Sequence, residues 1–287
     1  MIRTLFVAAL AALLLVTPAE AKRVRMFTPL EKLARADAVV VGKVTAIEKE
    51  PAAVAAEPGA KEKLSYRVAV VKVETGLIGA ANVTHIKVGF SPVAANADAP
   101  VRPGRGLSPF SPTEGAEGVF FLTKHHTGDF YVIGTMLAPV LTTAPDYKDQ
   151  LALVKKAAGV LADPMKALKA DKADRAFAAN VLLSKYRAYP DGGGEVGTVK
   201  VDAEESKLIL KALAEGNWKG DPNTPNDIGA YLSFSLLGLN DKDGWKQPVV
   251  KPGEDFIEKT KEAFVKWLDG PGKNYQVNKL VAKKSGK

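Results

Sequence analysis

The spacing of apolar residues changes near position 140, and this change limits what the chain can fold into more than any other feature. Before it, β-branched residues run together or alternate, as in Ala38–Ile47 and Leu64–Val73. After it, from about Tyr147, apolar residues recur every three to four positions, as Leu151, Val154, Ala158 and Leu161 do. The first pattern suits strands and the second suits amphipathic helices. Further strands are expected at 83–88, 118–123 and 130–136, with Gly128-Asp129 turning the last pair. Thr28-Pro29-Leu30-Glu31 is a capping-box string that starts a short helix, and Asp202-Ala203-Glu204-Glu205 is a second such start. Helices are also expected ahead of Pro190, over 227–238 with Ile228, Tyr231, Leu232 and Leu236 inward, and around Phe256, Phe264 and Trp267. The fold class read from this is α+β. A small OB-like five-stranded β-barrel over 22–146 precedes a separate all-α domain over 147–287, each with its own core. The helix starts fall roughly 25–30 residues apart, the spacing of stacked HEAT-like pairs.

Residues 1–21 divide into Arg3, an apolar run Leu5–Val16 and the small-residue end Ala19-Glu20-Ala21, the three parts of a secretory signal peptide. A run of 12 residues is well short of the roughly 20 that span a bilayer. The expectation is a secreted or periplasmic protein, with no transmembrane segment after signal cleavage. The chain has no Cys, so Cys-ligated zinc, iron–sulfur clusters and thiol nucleophiles are excluded, and a folded exported domain must rely on its core. The formal net charge of +8 comes from the ends. Lys22, Arg23 and Arg25 stand at one, and residues 270–287 carry five lysines and no acid at the other. The body is neutral, so no basic face for nucleic acid is expected, and the C-terminal end reads as a solvated basic tail.

Two connections in the first part stand out. Residues 48–63, rich in Ala, Pro, Glu and Lys, read as a mobile hairpin excursion. Residues 90–117 hold five prolines, and a connection of that length is either a recognition loop or disordered. Its Arg102 and Arg105 are the candidate ligand contacts. The stretches Ala36–Val44, Val70–Gly79 and Gly118–Leu122 resemble the netrin-like modules related to tissue inhibitors of metalloproteinases, over about 25–140. That resemblance implies an OB-like fold. It does not carry protease inhibition with it, because that family uses an N-terminal cysteine and disulfides and this chain has no Cys. The second part resembles helical regions of exported bacterial proteins of unknown function.

Candidate chemistry is sparse. Gly192–Gly197 matches G-x-G-x-x-G but follows a helix and Pro190 where a buried strand is required, so it reads as a loop. Asn240–Gly244 resembles the start of a calcium loop, yet Val250 stands where the bidentate Glu belongs, and it reads as a turn. His125 and His126 are adjacent, so on a strand they face apart, and they share a metal only if a turn rotates one back beside Asp129. His85 alternates away from Ile86 and Val88 and should be exposed. No G-x-S-x-G elbow, H-E-x-x-H helix or Walker loop occurs. No cofactor is expected. The reading is an exported, non-enzymatic binding or scaffolding protein of the cell envelope whose partner is an unidentified envelope protein or polymer. The alternative is an extracytoplasmic hydrolase with carboxylates or histidines in an interdomain cleft.

Overall fold

The computed structural model describes residues 27–55, 59, 61, 63–90, 110–127, 130–134, 136–189, 195–220 and 229–283. The signal-peptide segment, Lys22–Arg25, Arg102, Arg105, Gly128-Asp129, Gly192–Gly194 and Ile228 lie outside them. The described residues belong to one compact unit, with a mixed α+β architecture of one multistranded sheet, a two-stranded ribbon and seven helices.

Helix α1 (Pro29–Arg35) opens as its sequence requires: Thr28 Oγ1 accepts from the Glu31 N–H and the Glu31 carboxylate accepts from the Thr28 N–H. Strands β1 (Ala38–Ile47), β2 (Ala52–Ala55), β3 (Lys63–Ile78), β4 (His85–Phe90), β5 (Glu117–Lys124), β6 (Tyr131–Val132) and β7 (Val140–Leu141) form the sheet. β1 pairs antiparallel with both β3 and β5, β3 with β4, and β5 with β6, while β4 and β6 run parallel. The hydrogen-bonded path therefore returns from β5 to β1. It passes through the two-residue β6, and the strands do not enclose a clear barrel. Three register shifts between β1 and β3 supply curvature. Gly42 and Gly118 face each other across β1 and β5. A Cβ at the first would stand 2.4 Å from the Lys72 carbonyl oxygen, and one at the second 2.2 Å from that of Val140, so the neighbouring backbones close in only because both are glycine. The expected excursion at 48–63 is in part a hairpin, with β2 continuing along β3 through Ala52↔Tyr66 to Ala55↔Lys63. The fifth expected strand shrinks to two residues.

The second part contains α2 (Tyr147–Ala162), α3 (Pro164–Leu168), α4 (Lys172–Arg187), α5 (Ala203–Glu215), α6 (Gly229–Leu236) and α7 (Phe256–Asp269). It is not all-α: β8 (Val196–Lys200) pairs antiparallel with β9 (Asn278–Ala282). The two strands are short and far apart in sequence, so neither carries a local hairpin signal. The basic C-terminal end is in part folded. Lys279 Nζ lies 5.4 Å from the Tyr186 ring centroid, and Lys283 pairs with Glu195 at 2.8 Å. In α6 Ser233 and Phe234 are buried and the expected Tyr231 and Leu236 pack against the same core, whereas Leu232 is 44% exposed, because apolar residues surround this short helix and do not mark a single face.

The apolar clusters do not divide where the period changes. In β1 and β5 alternate residues serve different clusters. Ala38, Val40, Phe120 and Leu122 pack with Val71 and Val88 inside the curl of the sheet. Val39, Val41, Val119 and Phe121 pack with Leu33, Val154, Leu182 and Ile209 of the helices. A strand buried on both faces reads as a continuous apolar run, which is what Ala38–Val41 and Val119–Leu122 are. Lys32 is buried at this seam. Its Nζ donates to the Ala138 carbonyl at 2.8 Å and stands 5.7 Å from the Phe121 ring centroid, and burial pushes its pKa below the usual lysine value.

Candidate ligand site

Three small-residue helix faces leave a cavity in the helical part. α4 begins at Asp171, whose side chain accepts from the Asp174 N–H at 3.0 Å. Its Ala173 and Ala176 then turn toward Ala212 of α5 and Ala230 of α6, with Leu153 of α2 beside them. Methyl groups do not fill the space between helices, and a pocket of about 520 Å³ remains. This is within the usual range for small-molecule sites, roughly 300–1,000 Å³.

The walls are held by specific bonds. Arg175 of α4 pairs with Glu215 of α5 at 2.6 Å. The loop after α5 is pinned from three sides: Trp218 Nε1 donates to the Leu213 carbonyl at 2.8 Å, Lys261 Nζ donates to the Gly216 carbonyl at 3.2 Å, and the Ala230 N–H donates to the Asn217 carbonyl at 2.8 Å. Gly229 has φ of +72°, and a Cβ there would stand 2.5 Å from the Trp218 carbonyl oxygen, so α6 can start this close to the loop only from glycine. Behind the wall the Trp218 ring packs at a tilt against Phe234 at 4.9 Å and Phe264 at 5.6 Å between ring centroids. On the polar side, buried Ser233 donates through Oγ to Asn180 Oδ1 at 2.9 Å. Among the described residues that line the pocket, Lys172 is the one charged side chain. Outside it, Lys219 pairs with Asp255 at 2.7 Å, and the bond between them raises the lysine pKa and lowers that of the carboxyl.

A second concavity, about 610 Å³, lies between α5 and the end of α7. It mixes Lys207, Lys211 and Lys273 with Glu215 and Asp269, so it presents no single sign of charge.

The described residues marked from sequence lie elsewhere. His125 and His126 follow β5 in a turn, which does rotate the rings together, with centroids 4.2 Å apart. His125 is 5% exposed and stacks on Phe130 at 4.7 Å, with Tyr66 edge-on at 5.7 Å, while its Nδ1 is 2.9 Å from Thr127 Oγ1. His126 is exposed, and Asp129 is outside the described residues. Among the described residues no group of three or more His, Asp or Glu side chains is placed to hold a metal ion. His85 is exposed, its Nδ1 3.3 Å from Thr84 Oγ1. In Asn240–Gly244 the side chains serve the turn itself: Asn240 Oδ1 accepts from the Lys242 N–H, and Asp243 accepts from the Asn240 N–H. The pocket residues were missed because all but Lys172 are uncharged side chains with no motif, and a lone lysine at a helix start reads as a solvated one. The one local signal is Asn180, a polar residue beside the buried stripe of α4.

No protein-family model matches this chain, and comparison with curated proteins returns no match.

Proposed function

We propose that this protein is an exported, non-enzymatic binding protein of the cell envelope, and that the pocket between α2, α4, α5 and α6 receives its ligand. The observation that carries the reading is the pocket itself: mostly apolar, of small-molecule size, with a few fixed polar groups. Export is supported by the make-up of residues 1–21. An OB-like, netrin-like barrel for the first part is supported by the return of the pairing path from β5 to β1 and by the parallel β4–β6 pair. A HEAT-like stack for the second is supported by the packing of successive helices on one another, α3 on α4 and α4 on α5.

The neutral dye N-phenyl-1-naphthylamine tests the pocket. Its fluorescence should rise saturably at one site per chain, and Ala176→Trp, which fills the space, should remove the rise while the protein stays folded by circular dichroism. A rise that is not saturable, or one untouched by Ala176→Trp in a folded variant, contradicts the reading.

A further inference from the structure

We propose that the pocket is selective for a single-chain amphiphile with an anionic head, the chain lying among the alanines and the head reaching Lys172. This rests on the reading of the pocket as a ligand site and adds the class of ligand. Charge is the first argument. No carboxylate is among the described lining residues, and Lys172 makes no ion pair among the described residues. Neighbouring cations are engaged elsewhere: Lys156 pairs with Asp174 at 2.5 Å, Lys219 with Asp255 at 2.7 Å, and Lys261 donates to the Gly216 carbonyl at 3.2 Å. An anion is thus the charge this site leaves unmatched. Polar capacity is the second argument. Ser233 donates to Asn180 Oδ1 and the Lys219 N–H donates to Asn217 Oδ1, so these lining amide oxygens already have donors, and a ligand with many hydroxyls would lose water contacts that the site replaces poorly. Size is the third. A pocket of about 520 Å³ with a mostly apolar lining has the size of a site for one small ligand, which suits a single alkyl chain and not a lipid of several chains.

Calorimetric titration of the full chain with decanoate, decyl phosphate, decanol and decylammonium tests this. One or both anions should bind at one site about tenfold tighter than decanol, the advantage of one charge-assisted hydrogen bond. The tighter of the two identifies the head as carboxylate or phosphate. Lys172→Gln should bring anion affinity down to that of decanol, with thermal unfolding showing the variant folded. Decanol binding as well as both anions, decylammonium binding tighter than either, or an advantage that survives in Lys172→Gln overturns the anionic class while the pocket stands. Absence of saturable binding by all four overturns this inference, and the dye titration shows separately whether the pocket reading falls with it.

Discussion

Tyr186 of α4 donates its hydroxyl to the Glu205 carboxylate of α5. Burial first, then that bond and the carboxylate's charge, push the phenol pKa far above its ordinary 10.0. The folded protein then keeps a proton that the unfolded chain gives up above pH 10. The stability this supplies is complete below pH 10 and is lost as the pH climbs above it. Lys32 has the opposite sign. Its lowered pKa means that the unfolded chain holds the proton more tightly, so its contribution is complete above the ordinary 10.5 and is lost as the pH falls through the lower, folded value. Urea unfolding of Tyr186→Phe should therefore show a loss of about 1–2 kcal/mol at pH 7, the usual worth of such a bond. Between pH 10 and 11 its stability should decline less than that of the parent. An unchanged decline would contradict the role given to this hydroxyl.

The elements carry the same logic between them. Ser206, fully buried on α5, accepts from the Val277 N–H at 3.1 Å and lies 3.4 Å from the Val201 carbonyl, beside the Val201 to Val277 backbone bond. It fixes how the β8–β9 ribbon meets the helices. Ser206→Ala leaves a buried N–H without its acceptor and should cost about 1–3 kcal/mol. Hydrogen exchange should then quicken at 196–200 and 278–282 while α2 keeps its protection, and unchanged exchange in the ribbon would refute the assignment. Such nonlocal pairing is what the sequence could not disclose. The Thr28 to Glu31 box, the apolar runs of β1 and β5 and the face of α5 were legible because each is written within one short stretch. Half of the second box fails for the same reason. Asp202 caps α5 by accepting from Glu204 and Glu205 N–H groups, but the Glu205 side chain turns to Tyr186. The pocket was illegible for a further reason: it is a void between alanines of separate helices, and no residue type announces a void.

Across the described molecule, one face of β1 and β5 shares a core with the helices and the other face closes over the curl of the sheet. Phe121 and Phe120, adjacent in β5, belong to different cores. The helices that frame the pocket are therefore braced by the sheet. The ligand-binding proposal and the anionic class both depend on that pocket being a real receptacle. Nuclear magnetic resonance of the protein with labelled alanine methyl groups tests it most directly, because alanines line the pocket and also sit in the sheet. On titration with decanoate, the methyl signals of Ala173, Ala176, Ala212 and Ala230 should shift together and saturate, while those of Ala38 and Ala69 stay in place. Shifts confined to the sheet alanines, or none at saturating decanoate, would contradict the account.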